Sequence, residues 1–432
     1  MSRFRHGRGG PPPAVAASTA TAVVLLAAST LTVMAPTIVA PALPSIAREF
    51  ASVPGADLLV PLVLTLPALV IAVTASGAGA LIDRIGRRPV LVAGIVLYGA
   101  AGGTGLIAGS LTGLLAGRVG LGLAVAAALT SVTTLIADLY SGRARSRMLA
   151  RQAAAMGVSG TVFTITSGLL AGVGWRWSFA LYPVAWLLLP AVLRVVPDPP
   201  RVGTGTLRRA DVVPGPGTVS PVSVSVAAAD AAPAPTGDRG ALGVITVSIA
   251  LLALVQVVFY LLPVQLPFLL EETFGLGPAA TGAFIAIPPL AYAGASLTSG
   301  RLSSGRRRAT VVAVAFGVTG TGYLAIGLAG NLGVVAPGLL IGGAGLGLIV
   351  PNLVGWVAHA APARLRGRLI GMMTSALFLG QFASPLVWSP VVGAAGRQPA
   401  LTAAGLTLLG LGISALLLDA LRRVWERAAG SG

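Results

Sequence analysis

Apolar runs of roughly twenty residues recur along this chain from residue 19 to residue 420, with charged or Gly/Pro-rich breaks between them. No other feature limits the fold as much. A helix of about 20 mainly apolar residues crosses the hydrocarbon core of a bilayer and satisfies its own backbone hydrogen bonds there. With 55% hydrophobic residues, only 9% charged residues and a mean hydropathy of +0.89, too few polar side chains remain to cover a soluble core. The pattern predicts an all-α membrane protein of about twelve helices, near residues 19–41, 57–78, 89–109, 111–137, 152–173, 179–196, 242–270, 280–299, 309–329, 334–358, 369–392 and 399–420.

The net charge of +17 points at first to a nucleic-acid partner, but the placement of the charge argues against one. The chain has no lysine, so all 29 basic residues are arginine. With the N-terminus in the cytoplasm, all but four fall in cytoplasmic segments: Arg48, Arg176 and Arg397 lie outside, and Arg118 lies within a helix. Such a bias, loop after loop, is what the positive-inside rule gives for an even number of spans with both ends in the cytoplasm. The expected location is therefore the cell inner (cytoplasmic) membrane, with the lipid bilayer as partner and no nucleic acid. Arg3, Arg5 and Arg8 before the first run imitate a signal peptide. That run is too long for an h-region and many spans follow it, so it reads as a retained first helix. The absence of cysteine excludes disulfides and thiol chemistry, and the only histidines, His6 and His359, lie far apart in sequence. No metal and no cofactor is expected, and no enzyme.

The chain also repeats itself. Residues 113–123 (Gly-Leu-Leu-Ala-Gly-Arg-Val-Gly-Leu-Gly-Leu) align with residues 338–348 (Gly-Leu-Leu-Ile-Gly-Gly-Ala-Gly-Leu-Gly-Leu) with eight of eleven positions identical. Gly79-Ala80-Leu81 with Gly86-Arg87-Arg88 returns loosely as Gly300-Arg301-Leu302 with Gly305-Arg306-Arg307. Repeats on one side of the membrane imply two six-helix halves in parallel orientation, with a substrate site between them near the midplane. The expected organisation is a cytoplasmic N-terminus (1–18), a first half (19–196), a cytoplasmic linker (197–240), a second half (241–420) and a cytoplasmic tail (421–432). The linker opens with Pro197, Pro199 and Pro200 and continues without helical or strand period.

Gly79-x-Leu81-x-Asp83-Arg84-x-Gly86-Arg87-Arg88, between the second and third helices, resembles the signature loop of the major facilitator superfamily. Arg118 with Gly122 resembles that family's second motif, and Trp175-Arg176-Trp177-x-Phe179 resembles the start of its sixth helix. Thr37-Ile38-Val39 followed by Ala42-Leu43-Pro44 resembles the drug-efflux branches, although Ala35 stands where those branches carry an Asp. Helix five departs as well, with Phe163-Thr164 in place of Gly-Pro and Ser167-Gly168 in place of Gly-Gly. The resemblance implies a secondary active transporter that works by alternating access, with proton-coupled export of drugs or small natural products as the leading reading. An importer of a sugar, organic acid or other nutrient is the second reading, and a receptor that binds without transport the third. The partners implied are a small-molecule substrate and protons. Nucleotide-driven transport is disfavoured because no phosphate-cradling glycine loop with lysine exists.

Three sets of residues carry the expected function. The first is a gating loop of Gly79, Asp83, Arg84, Gly86, Arg87 and Arg88, in which glycines permit a tight turn and Asp83 accepts hydrogen bonds across the bundle as a latch. The second is Arg118, an intramembrane charge that either tunes a proton carrier, binds an anionic group, or snorkels or bonds backbone carbonyls for structure alone. The third is a group of polar residues facing a cavity: Thr161, Thr164, Gln256, Tyr260, Tyr292, Asn352 and Gln381, with Gln152, Thr166 and Gln265 as further members. Each can equally bond a neighbouring helix. Pro385 and Pro390, flanking Trp388, suggest a kink in helix eleven.

Overall fold

The structure, a computed structural model, describes residues 18–197, 238–303, 307–362 and 365–429. Residues 1–17, all of the expected linker from 198 to 237, and Gly305 and Arg306 of the second loop copy lie outside the described residues. Among the described residues there is no strand, and twelve helical spans are long and apolar enough to cross a membrane. These are α1 (Thr19–Glu49), α2 (Ala56–Ala75), α3 (Arg87–Leu106), α4 (Leu111–Leu139), α5 (Gly142–Val173) and α6 (Trp175–Val195) in the N half. The C half holds α7 (Gly243–Phe274), α8 (Pro278–Gly300), α9 (Arg308–Gly327), α10 (Leu332–Val357), α11 (Arg368–Ala395) and α12 (Arg397–Leu421). The odd spans start, and the even spans end, at one face of the bundle, which carries most of the arginines and is called here the arginine face.

Local chemistry sets the ends. Ser18, Ser110 and Asn331 cap α1, α4 and α10 by accepting from the backbone N–H three residues on, at 3.0, 3.1 and 3.2 Å. The helix of α2 continues to Ile85, so the loop expected over Gly79–Arg88 shrinks to a single residue. Gly86, at φ 110°, makes the break, and Arg87 already opens α3. Gly79 therefore sits in a helix and serves no turn. α5 begins at Gly142 rather than at residue 152, because its first turns are rich in arginine, a good helix former that leaves no apolar trace. α6 begins at Trp175 rather than at residue 179, and the helix of α11 runs unbroken over Arg366–Ala395 with both prolines inside.

The first span of each half is broken, and the breaks free backbone carbonyls. In α1 the helix stops at Thr37 and resumes at Leu43 after a 3-10 turn over Ala40–Ala42. Val39 N–H turns to the Pro36 carbonyl and Ala42 N–H to the Val39 carbonyl, which leaves the Ala35 and Ile38 carbonyls without helical donors. An unpaired carbonyl in hydrocarbon is costly. The Tyr182 hydroxyl donates to the Ala35 carbonyl at 2.7 Å, and the Ser167 hydroxyl donates to that of Ile38. In α7 the helix breaks at Tyr260, and Pro263 has no N–H for the Phe259 carbonyl. There the Tyr323 hydroxyl lies 3.1 Å from the Val258 carbonyl and 3.3 Å from that of Phe259.

The register of 225 residues set by the pairing of residue 113 with residue 338 runs through the packing. Tyr98 and Tyr323, both fully buried, each donate to the first span of their own half, Tyr98 to the Leu31 carbonyl at 2.8 Å. A Cβ built on Gly122 would meet the Pro67 carbonyl at 2.9 Å, and one on Gly347 would meet that of Tyr292, residues again 225 apart. The halves are thus parallel copies, each zipped by small residues, as expected where lipid leaves no hydrophobic drive for helix association.

Candidate functional site

The halves touch at the face opposite the arginines. A Cβ on Gly168 of α5 would lie 2.7 Å from the Pro278 carbonyl and 3.1 Å from Cα of Gly282 in α8. Only a residue without a side chain allows that approach, so the Gly168–Gly282 contact is a backbone seam. Beside it Arg48 of α1 pairs with Glu271 of α7 across the halves. Two flanking pairs stay within a half: Arg176 with Glu49 at 2.6 Å, and Arg397 with Glu272. Glu49 also accepts from the Trp175 indole at 2.6 Å.

Between the seam and the arginine face lies a cavity of about 260 Å³ lined by α1, α2 and α5 of the N half and α7, α8, α10 and α11 of the C half. Its wall is mostly apolar, with Leu64, Pro67, Ile71 and Met156 on one side and Phe259, Leu266, Val350 and Phe378 on the other. No charged side chain lines it among the described residues. Of the residues expected there, Thr164, Gln256, Tyr260, Tyr292 and Gln381 line the cavity. Thr164 turns its hydroxyl back to the Gly160 carbonyl at 2.7 Å. Gln256, Tyr260 and Gln381 are 5%, 8% and 7% exposed, and their polar groups have no hydrogen-bond partner among the described residues.

The other candidates sit elsewhere. Thr161 does not line the cavity and its hydroxyl leans toward the Gly157 carbonyl at 3.4 Å. Asn352 lies outside it too, donating to Ser299 at 3.2 Å and to the Leu348 carbonyl at 2.8 Å while accepting from Ser303 at 2.9 Å. Gln152 donates to Ser29 at 2.9 Å and joins α5 to α1, Gln265 accepts from Arg397 at 3.3 Å, and Thr166 is not in the lining. Thr32, Thr37 and Ser296 line the cavity without having been singled out. For Ser296 the signal existed in the repeat, since its copy in the N half, Ile71, faces the same space.

Arg118 is fully buried and does not reach the cavity. Its guanidinium donates to the Tyr182 hydroxyl at 2.9 Å and to the Gly102 carbonyl at 3.0 Å. It also lies 4.8 and 4.9 Å from the ring centres of Phe179 and Tyr182, a cation–π setting that replaces some of the lost hydration. No carboxylate pairs with it among the described residues. These bonds to Tyr182 and to the backbone of Gly102 are the ones this arginine makes in the structure. Through Tyr182 it braces the freed Ala35 carbonyl, and Ala35 lines the cavity.

At the arginine face, Arg87 bonds Asp138 of α4 at 3.1 Å and Arg88 donates to the Leu193 carbonyl at the end of α6. Both contacts stay within the N half. Asp83 is exposed and makes no hydrogen bond or ion pair among the described residues, so the latch expected from the sequence is not engaged in this conformation.

The sequence profile of the Major Facilitator Superfamily matches residues 25–385. No curated protein matches the sequence significantly. Among solved structures, a bacterial homologue of the human lysosomal transporter Spinster, in an inward-facing and occupied conformation, superposes with a TM-score of 0.70 at 15% identity, covering 97% of this chain and 98% of that one. The human organic anion transporter MFSD10 (TETRAN) gives a TM-score of 0.63 at 22% identity, over 94% of this chain and 100% of that one. The proton:xylose symporter XylE, bound to 6-bromo-6-deoxy-D-glucose, gives 0.64 at 16% identity, over 92% and 94%. At these identities the likeness is one of fold.

Proposed function

The chain belongs to the major facilitator superfamily, and on that premise we propose that it is a secondary active transporter exporting uncharged, largely apolar drugs or small natural products by alternating access. One observation carries the reading: a cavity between the two halves, sealed at one face by the Gly168–Gly282 seam and the Arg48–Glu271 pair, with no charged side chain in its described lining. An anionic substrate would find no arginine there, since Arg118 is turned toward Tyr182 and Gly102. A cationic one would find no carboxylate. The arginine face is assigned to the cytoplasm by the positive-inside rule, which makes both termini cytoplasmic and the described conformation open toward the cell interior.

Proton coupling belongs to the same reading and requires a carboxylate outside the cavity. Glu271 fits the role, because a proton bound there from outside while the seal is open removes the charge that holds Arg48, and its release to the cytoplasm lets the Arg48–Glu271 pair form again. Uptake of an uncharged nutrient is the second reading, favoured by the same lack of a carboxylate in the cavity.

Two dyes in pump-deficient cells expressing the chain test this. Accumulation of the neutral dye N-phenyl-1-naphthylamine is expected to fall and to recover with a protonophore, while that of the cation ethidium stays unchanged. A fall for ethidium alone would contradict the uncharged-substrate reading, and a rise for the neutral dye would favour uptake.

A further inference from the structure

Four of the cavity positions related by the 225-residue register are apolar in the N half and polar in the C half, while Thr37 and Leu262 reverse the order. Ala35 corresponds to Tyr260, Pro67 to Tyr292, Ile71 to Ser296 and Met156 to Gln381, and all eight line the cavity. Where the N half presents methyl, ring and thioether surface, the C half presents phenol, hydroxyl and amide. Gln256 adds a second amide, and the two are neighbours: a Cβ on Gly380 would lie 2.8 Å from Cβ of Gln256, and Gln381 follows Gly380 in the chain. Neither amide has a partner among the described residues, although both residues are more than nine-tenths buried. The Tyr292 hydroxyl is likewise buried and unpartnered. Polar side chains that bond neither one another nor a neighbour among the described residues, grouped on one wall of an apolar cavity, suit the polar head of a ligand.

We propose that Gln256, Gln381, Tyr260 and Tyr292 form a single hydrogen-bonding subsite for the carboxamide or hydroxy-carbonyl head of an uncharged substrate, whose apolar body lies on the N-half wall. The inference rests on the reading of this cavity as the substrate site. Each glutamine offers an acceptor oxygen and a donor nitrogen, and each phenol both donates and accepts, so the array matches a head that does both. A carboxylate head, which only accepts, would leave the amide oxygens unpaired and bring a charge with no counter-ion. A hydrocarbon would leave every group as it stands.

Three probes with one body separate these cases: 1-naphthaleneacetamide, 1-naphthaleneacetate and 1-ethylnaphthalene, bound at equilibrium to the purified full chain in nanodiscs, with empty nanodiscs as the blank. The amide is expected to bind about tenfold tighter than the hydrocarbon, the size of one or two net hydrogen bonds. The Gln256→Leu/Gln381→Leu variant should erase that preference, so that the amide no longer binds tighter than the hydrocarbon. Gln381→Met, which installs the residue found at 156, should weaken amide binding alone and guards against a double variant that fails to fold. Equal binding of amide and hydrocarbon by the unaltered chain would overturn the subsite and leave the apolar cavity reading in place. Tightest binding by the acetate would overturn both the subsite and the uncharged-substrate reading. Saturable binding of none of the three would overturn the subsite together with the cavity reading.

Discussion

At residue 118 the N half carries a fully buried guanidinium, while at residue 343, the same place in the C half, α10 carries no side chain at all. The surroundings follow the difference. Around Arg118 stand Phe179 and Tyr182, and the copies of those rings in the C half are Ala404 and Thr407. Around Gly343 the helices close up instead: a Cβ there would meet the Pro288 carbonyl at 2.6 Å and Ala291 Cβ at 3.0 Å. That approach, continued by Gly347 against the backbone of Tyr292, sets the part of α8 that bears Tyr292 against the cavity. One duplicated scaffold has thus been finished in two ways. Both halves are zipped by small residues, but the N half adds charge and aromatic rings that brace a broken α1, whereas at the matching place in the C half a glycine seam sets Tyr292 against the cavity.

The largest effect is expected from moving one solution into the other half. Gly343→Arg has no space for the new side chain against the Pro288 backbone, and no folded protein should be recovered on size-exclusion chromatography. Recovery at the normal yield and melting temperature would show that the two positions are not packed as described. Arg118→Ala should come next, costing about 3 kcal/mol from the void it leaves and from the lost bonds to Tyr182 and Gly102, read as a lower melting temperature. If instead stability holds and only transport is lost, the arginine acts on protons or substrate and the brace is secondary.

Asp83→Asn should lower transport several-fold while leaving membrane insertion and probe binding intact, because the latch acts only as the arginine face closes; normal transport by that variant would remove the latch. The smallest effects test where the halves agree. Tyr98→Phe and Tyr323→Phe each remove one buried hydroxyl bond to a first span, and each should cost about 1 kcal/mol. Clearly unequal losses would mean that the shared register does not extend to these tyrosines.

How far this could be read in advance differs between scaffold and site. The spans and the parallel repeat were legible, because length of apolar run, arginine position and glycine spacing act locally, whereas the loop expected over Gly79–Arg88 shrank to Gly86 alone. The extent of α5 before residue 152 was not, since a helix leaving the bilayer loses its apolar signal. Site membership was harder. A helix apolar on all sides shows no face by periodicity, so nothing distinguished Asn352, bonded inward to Ser299 and Leu348, from Gln381, which faces the cavity. The duties of Tyr182 and Ser167 depend on carbonyls freed by the α1 break, which only three-dimensional structure brings beside them. The register would have helped most, because it pairs Tyr260, Tyr292, Ser296 and Gln381 with N-half residues that line the same cavity.

On the proposed alternating-access reading the seal opposite the arginine face is one of the two gates, and it can be locked directly. In a chain with no cysteine of its own, Arg48→Cys with Glu271→Cys places the only two thiols at the ion pair that joins the halves. Bridging them with a cleavable bis-methanethiosulfonate should stop flux of 1-naphthaleneacetamide across proteoliposomes, preserve its equilibrium binding, and release flux again on reduction. Undiminished flux through the bridged protein would contradict alternating access at this interface.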